Sequence, residues 1–143
     1  MQANVGRSLH NLKIAGIRTW VLTGDKTDTA IQIGFACNLL KPNQKIHEVH
    51  AKDELGLARN GAQVTELLSK FAEEDRKYAY DDPALVIEGD AMRALGIGGD
   101  LPSDLSPHAL AEELAKREKW QKEFTAFCAS LSAVICCRVG LLG

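Results

Sequence analysis

The stretch from Ala15 to Leu40 limits the fold more than any other part of this chain. Trp20-Val21-Leu22 is a short apolar run that stops abruptly at Thr23-Gly24-Asp25. A buried parallel strand looks like this where it enters a loop. Behind the turn, Ala30, Ile33, Gly34 and Cys37 recur at helical spacing, and Ile31, Phe35 and Leu39 widen the apolar stripe. Asp25 stands at the N-cap position, and Asp28 three residues on completes a pair of the capping-box kind. Open α/β sheets bind ligands at turns of this sort, at the carboxyl ends of parallel strands. The start of a helix adds free N–H groups and a positive dipole end, which favour phosphate.

The rest of the chain repeats the alternation. Met1–Ala15 reads as a helix with Val5, Leu9 and Leu12 on one face and Gly16 as its stop. The first strand is read as Ile17–Leu22, and the helix after it as Lys26–Leu40, ending before Pro42. Gln44–Val49 has the pattern of a short edge strand. Gly61–Lys77 is the next helix, with Val64, Leu67, Leu68 and Phe71 inward and Glu73–Lys77 as a solvated end. Leu85–Glu88 is a strand and Ala91–Leu95 a short helix. Gly96–Pro107 is a loop, because its glycines and prolines prevent regular structure. His108–Leu131 is a long helix with Leu110, Leu114, Phe124, Phe127, Cys128 and Leu131 inward, followed by a strand at Ala133–Val139. Strands alternating with helices call for a parallel sheet with right-handed crossovers.

Several function classes are disfavoured by content. A net charge of −2 offers no basic footprint for nucleic acid. No apolar stretch approaches the roughly 20 residues of a membrane helix, and Met1–Arg7 lacks the apolar centre of a signal peptide. Cys37, Cys128, Cys136 and Cys137 show neither C-x-x-C nor zinc spacing. They read as small buried hydrophobes in a reducing compartment, with Cys136 and Cys137 on opposite faces of a strand. His47 and His50 lack the i, i+4 spacing of a zinc helix and read as exposed polar residues. No metal site is expected.

A resemblance rests on these same residues. Thr23-Gly24-Asp25-Lys26 behind Gly16–Leu22, then Thr29-Ala30 and Gly34–Leu40, resemble the phosphorylation domain of P-type ATPases, and most of all its phospholipid-transporting (flippase) class. Leu85-Val86-Ile87-Glu88-Gly89 resembles the second strand of that region, where the family usually has Asp instead of Glu. Ala133–Val139 resembles a third strand peculiar to flippases. The resemblance covers about residues 1–139 and implies a three-layer, haloacid-dehalogenase-like (Rossmann-like) α/β fold, here incomplete. The whole of 1–143 would be part of that domain.

The resemblance also implies roles. Thr23 would donate its hydroxyl to a phosphoryl group, beside the backbone of Gly24. Asp25 would order the site and work on the nucleotide, and Arg138 would reach the nucleotide. Such a pump needs a nucleophilic carboxylate and Mg²⁺. Asp25-Lys-Thr-Asp-Thr29 differs by one residue from the family's phosphorylated Asp-Lys-Thr-Gly-Thr. The flanking residues nevertheless fit the Thr-Gly-Asp segment, and the Asp28 carboxylate would repel phosphate. The nucleophile, the Gly-Asp-Gly-x-Asn-Asp magnesium motif and the phosphate-contacting lysine are therefore expected outside this sequence. The chain alone is expected to be inactive.

The expected partners are ATP, with Mg²⁺ held elsewhere in the parent, the remainder of the pump, its phospholipid and an accessory subunit. The expected location is a cytosolic portion of a membrane protein. Two alternatives stand beside this reading: a fragment of a cation-transporting P-type ATPase, and a non-catalytic regulatory or binding remnant. Cys136-Cys137-Arg138 and Gly34–Leu39 weigh against the cation pump.

Overall fold

The structure is a computed structural model that describes residues 20–98 and 103–139. The helix expected over Met1–Ala15 and the start of the first strand lie outside the described residues. Four strands form one parallel sheet: β1 (Trp20–Leu22), β2 (Ile46–Val49), β3 (Ala84–Glu88) and β4 (Ala133–Cys137), in the order β1-β4-β3-β2. The helices are α1 (Thr27–Ala36), α2 (Gly61–Tyr78), α3 (Gly89–Ala94) and α4 (Pro107–Cys128). The α/β class expected from the sequence is the class found.

β3 and β4 lie in the middle because they can be covered on both faces. Ala84-Leu-Val-Ile87 and Ala133-Val-Ile-Cys-Cys137 are continuous apolar runs, and each of these residues is buried. Alternation along the strands sorts them into two cores. Leu85, Ile87, Val134 and Cys136 pack with Val64 and Leu68 of α2 and with Phe124, Phe127 and Cys128 of α4. Ala84, Val86, Ala133, Ile135 and Cys137 pack on the opposite face with Ala30 of α1 and with Leu40. Helix, sheet and helix pair therefore make three layers. Cys136 and Cys137 do point to opposite faces, and both are buried.

Several boundaries and faces differ from the sequence reading. α1 stops at Ala36 because Asn38 adopts a left-handed backbone (φ 60°), and the Leu39 and Leu40 N–H groups turn back onto the Gly34 carbonyl. Cys37 is exposed at this stop, so it is not a buried hydrophobe. Leu114 is 47% exposed, because α4 buries only its carboxyl half, at Phe124, Phe127 and Cys128. Pro107 begins α4 behind a Ser106 cap that accepts the Ala109 N–H at 3.2 Å. His47 is not an exposed polar residue. It is 2% exposed, stacks on Phe71 with ring centroids 4.4 Å apart, and its Nε2 meets Asp75 Oδ1 at 2.7 Å. Burial of an imidazole needs a partner, and Asp75 supplies it. The charged end of α2 is thus partly drawn inward.

Connectivity places a crevice over one strand. From β1 the chain leaves to α1 on one face, and from β3 it leaves to α3 and α4 on the other. β4 lies between β1 and β3. The loops at its two sides therefore part in opposite directions, which opens a crevice at the carboxyl end of β4.

Candidate functional site

Thr23 follows β1 and Arg138 follows β4, and the backbone joins them directly. The Thr23 N–H donates to the Cys136 carbonyl at 2.9 Å, the Val139 N–H to the Thr23 carbonyl at 3.1 Å, and the Arg138 N–H to the Asp25 carbonyl at 2.8 Å. Two segments more than a hundred positions apart in sequence are thereby fastened across one strand spacing. Arg138 turns through a left-handed backbone (φ 52°), an uncommon conformation for a residue with a side chain. Its carbonyl sits so close to the β3–α3 junction that a Cβ on Gly89 would lie 3.0 Å from it. Glycine at 89 therefore lets the Arg138 turn settle onto the sheet edge.

Thr23 and Asp25 also engage each other. The Thr23 hydroxyl donates to Asp25 Oδ2 at 2.7 Å, and the Asp25 N–H donates to Thr23 Oγ1 at 3.2 Å. This corrects the capping expectation. Lys26 is the N-cap of α1 and gives no side-chain cap; Asp25 faces back to Thr23. The first turn of α1 therefore keeps N–H groups free of a capping side chain. At Gly24, a Cβ would meet only the Val139 carbonyl oxygen at 3.5 Å, an ordinary contact, so internal packing does not demand glycine there.

Glu88, the last residue of β3, was not among the residues singled out for the site, and it proves to be its hub. Its side chain is 13% exposed. Oε2 pairs with Arg138 Nε at 2.9 Å, while Oε1 accepts the Ala51 N–H at 2.7 Å and faces His50 Nδ1 at 3.5 Å. The available signal was an acid ending an otherwise apolar central strand. His50, exposed as expected, lies between Glu88 and Glu48, the latter 3.3 Å from Nε2. His50, Lys52, Glu88, Asp90 and Arg138 line a cleft of about 550 Å³ at this edge. The Arg138 side chain is 54% exposed there.

The thiols near the site are not poised for chemistry. Burial pushes the Cys136 thiol well up from its ordinary value, and the neighbouring Cys128 and Cys137 add to the effect. Burial also raises Cys137, partly offset by its contact with the Thr27 hydroxyl at 3.4 Å. Thiols held protonated are poor nucleophiles and poor metal ligands. Among the described residues, no group of three His, Cys, Asp or Glu side chains converges to hold a metal ion, and no helix is long and apolar enough to cross a membrane. The edge thus brings together a half-exposed guanidinium, the uncapped start of α1 and the Thr23–Asp25 pair, beside the carboxylates of Glu88 and Asp90.

No family model matches the chain. Individual relatives do. It is 32% identical to a phospholipid-transporting ATPase of Schizosaccharomyces pombe, over 97% of this chain and 10% of the relative. It is 30% identical to phospholipid-transporting ATPase DNF1 of Saccharomyces cerevisiae, over 97% of this chain and 9% of the relative. It is 32% identical to human phospholipid-transporting ATPase VD, over 96% of this chain and 9% of the relative. The chain thus spans about a tenth of the length of the curated relatives it matches.

Proposed function

We propose, from the premise that this chain belongs to the phospholipid-transporting class of P-type ATPases, that it is part of the phosphorylation domain of such a pump. In this reading it supplies one side of the ATP and phosphate site. The observation that carries the proposal is the direct backbone fastening of Thr23–Asp25 to Arg138–Val139. That fastening supports a single ligand spanning both segments. Arg138 contributes a partly exposed guanidinium suited to phosphate or to ribose oxygens. Thr23 contributes a hydroxyl whose single proton is donated to Asp25 at 2.7 Å, so donation to a phosphoryl oxygen requires the hydroxyl to turn away from Asp25. Gly24 leaves the ligand side of the turn without a side chain.

The parent protein would couple ATP hydrolysis to phospholipid movement, with this segment outside the membrane. Magnesium belongs to that reaction, but the described residues do not fit it, because no carboxylates converge to hold it. The sequence contains neither Asp-Lys-Thr-Gly-Thr nor Gly-Asp-Gly-x-Asn-Asp, so the chain alone binds without turning over.

A helix start and one arginine supply only a few kcal/mol, which corresponds to a dissociation constant of about millimolar. Equilibrium binding of ATP to the full chain tests the reading. Arg138→Ala is expected to weaken binding by roughly tenfold, the scale of one charge-assisted contact. Equal affinity in wild type and Arg138→Ala would sink it.

A further inference from the structure

We propose that Glu88 is a positioning residue, whose carboxylate holds the Arg138 guanidinium and the loop after β2 as one unit. Sheet register puts Glu88 where it can do this. It pairs with Cys137, one residue before Arg138, and Ile87 pairs with Val49, one residue before His50. Its two oxygens then divide the work. Oε2 takes Arg138 Nε on the β4 side, and Oε1 takes the Ala51 N–H on the β2 side. A carboxylate this buried must be paired to stay charged, and both partners are donors.

The β2-side partner is itself braced. Arg59 Nη1 donates to the Lys52 carbonyl at 2.6 Å and to the His50 carbonyl at 3.3 Å, and the Arg59 N–H donates to the Ala51 carbonyl at 2.8 Å. The Asp53 carboxylate accepts the Leu55 and Leu57 N–H groups, each at 2.9 Å. Glu88 therefore ties Arg138 to a stiff loop and not to a loose one. The ion pair with Glu88 engages Nε of Arg138, on the inner side of the guanidinium.

The use of this arrangement for nucleotide binding rests on the reading proposed above. An arginine already fixed loses less side-chain freedom when a ligand arrives, an advantage of roughly two- to tenfold in affinity. The Glu88 charge opposes an anion, but Arg138 and the Ala51 N–H share it.

The test uses the full chain as wild type, Glu88→Ala, Glu88→Gln, Arg138→Ala and the double variant Glu88→Ala/Arg138→Ala. Without ligand, nitrogen relaxation of the Arg138 Nε–Hε group and hydrogen exchange of the Ala51 amide are read. Both are expected to be rigid and protected in wild type and loosened together in Glu88→Ala. Glu88→Gln, which keeps the shape and an acceptor oxygen, is expected to restore part of the order and guards against a folding defect. Arg138 equally mobile in wild type and both Glu88 variants overturns the proposal, whatever ATP does.

With ATP, Glu88→Ala is expected to bind roughly two- to tenfold more weakly than wild type, and to add nothing in the Arg138→Ala background. Tighter binding by Glu88→Ala, or the same loss with and without Arg138, also overturns it. If wild type fails to bind ATP, the functional reading falls, while the Arg138 and Ala51 dynamics still decide the role of Glu88.

Discussion

Replacing Gly61 with alanine sets helix propensity against packing, and the geometry says which wins. Gly61 opens α2 behind Asn60, which closes a reciprocal capping box with Gln63 at 2.9 Å in both directions. On propensity alone, alanine would gain up to about 1 kcal/mol over glycine, and less at a helix start. A Cβ at 61, however, would lie 2.4 Å from Cε3 and Cζ3 of Trp120 and 2.6 Å from the Ala94 carbonyl oxygen. The carbonyl is backbone at the end of α3 and cannot swing away. Trp120 packs against the core between α2 and α4, so moving its ring gives up buried contacts. Overpacking of this kind costs about 1–3 kcal/mol. Taking the propensity gain as about half its full value, the expected net loss is about 0.5–2.5 kcal/mol. Urea denaturation followed by circular dichroism should show a lower midpoint with an unchanged slope. Adding Trp120→Leu should recover part of the loss, as coupled neighbours do. A Gly61→Ala chain as stable as wild type would refute the close α2–α3–α4 junction.

Asp75→Ala removes the partner of a buried imidazole at 2.7 Å and should cost about 1–3 kcal/mol in the same assay; unchanged stability would mean that the pair does not form. Of the four thiols, exposed Cys37 should react first with a thiol reagent, while Cys128, Cys136 and Cys137 stay silent until unfolding; rapid native labelling of all four would contradict the two-sided core. Burial raises the Cys128 and Cys136 thiols in the folded chain. Their stabilising contribution is therefore complete below the unfolded thiol value near pH ~8.5 and declines above it, by up to about 1.4 kcal/mol per pH unit for each thiol. Cys128→Ala should flatten that alkaline decline, and an unchanged decline would refute the assignment. Radiolabelled ATP should leave no acid-stable phosphate on the chain; label on Asp25 would overturn its assignment to the Thr-Gly-Asp segment.

The alternation of strands and helices was legible because continuous apolar runs and helical stripes are local signals. The sequence order of Leu85–Glu88 and Ala133–Val139 did not disclose that the later strand inserts between β1 and β3; order in a sheet is decided by packing between distant segments. Thr23–Asp25 and Arg138 were picked out as candidates by their resemblance to a family, and the structure joins their backbones. Glu88 was not, because its importance comes from two donors on neighbouring strands. Asp25 was misread as a cap because the Thr23 hydroxyl competes for its carboxylate. His47 was misread because a buried histidine on an edge strand is recognisable only once Asp75 and Phe71 of α2 lie against it.

The most direct test of the shared anion site is an NMR titration of the full chain with ATP, read residue by residue. Thr23–Lys26 and Arg138 are predicted to shift together along one binding curve with a dissociation constant of about millimolar. Shifts confined to the exposed basic residues Lys116 and Lys119 of α4, with the β1 turn and Arg138 unmoved, would mean general charge attraction and would contradict the account.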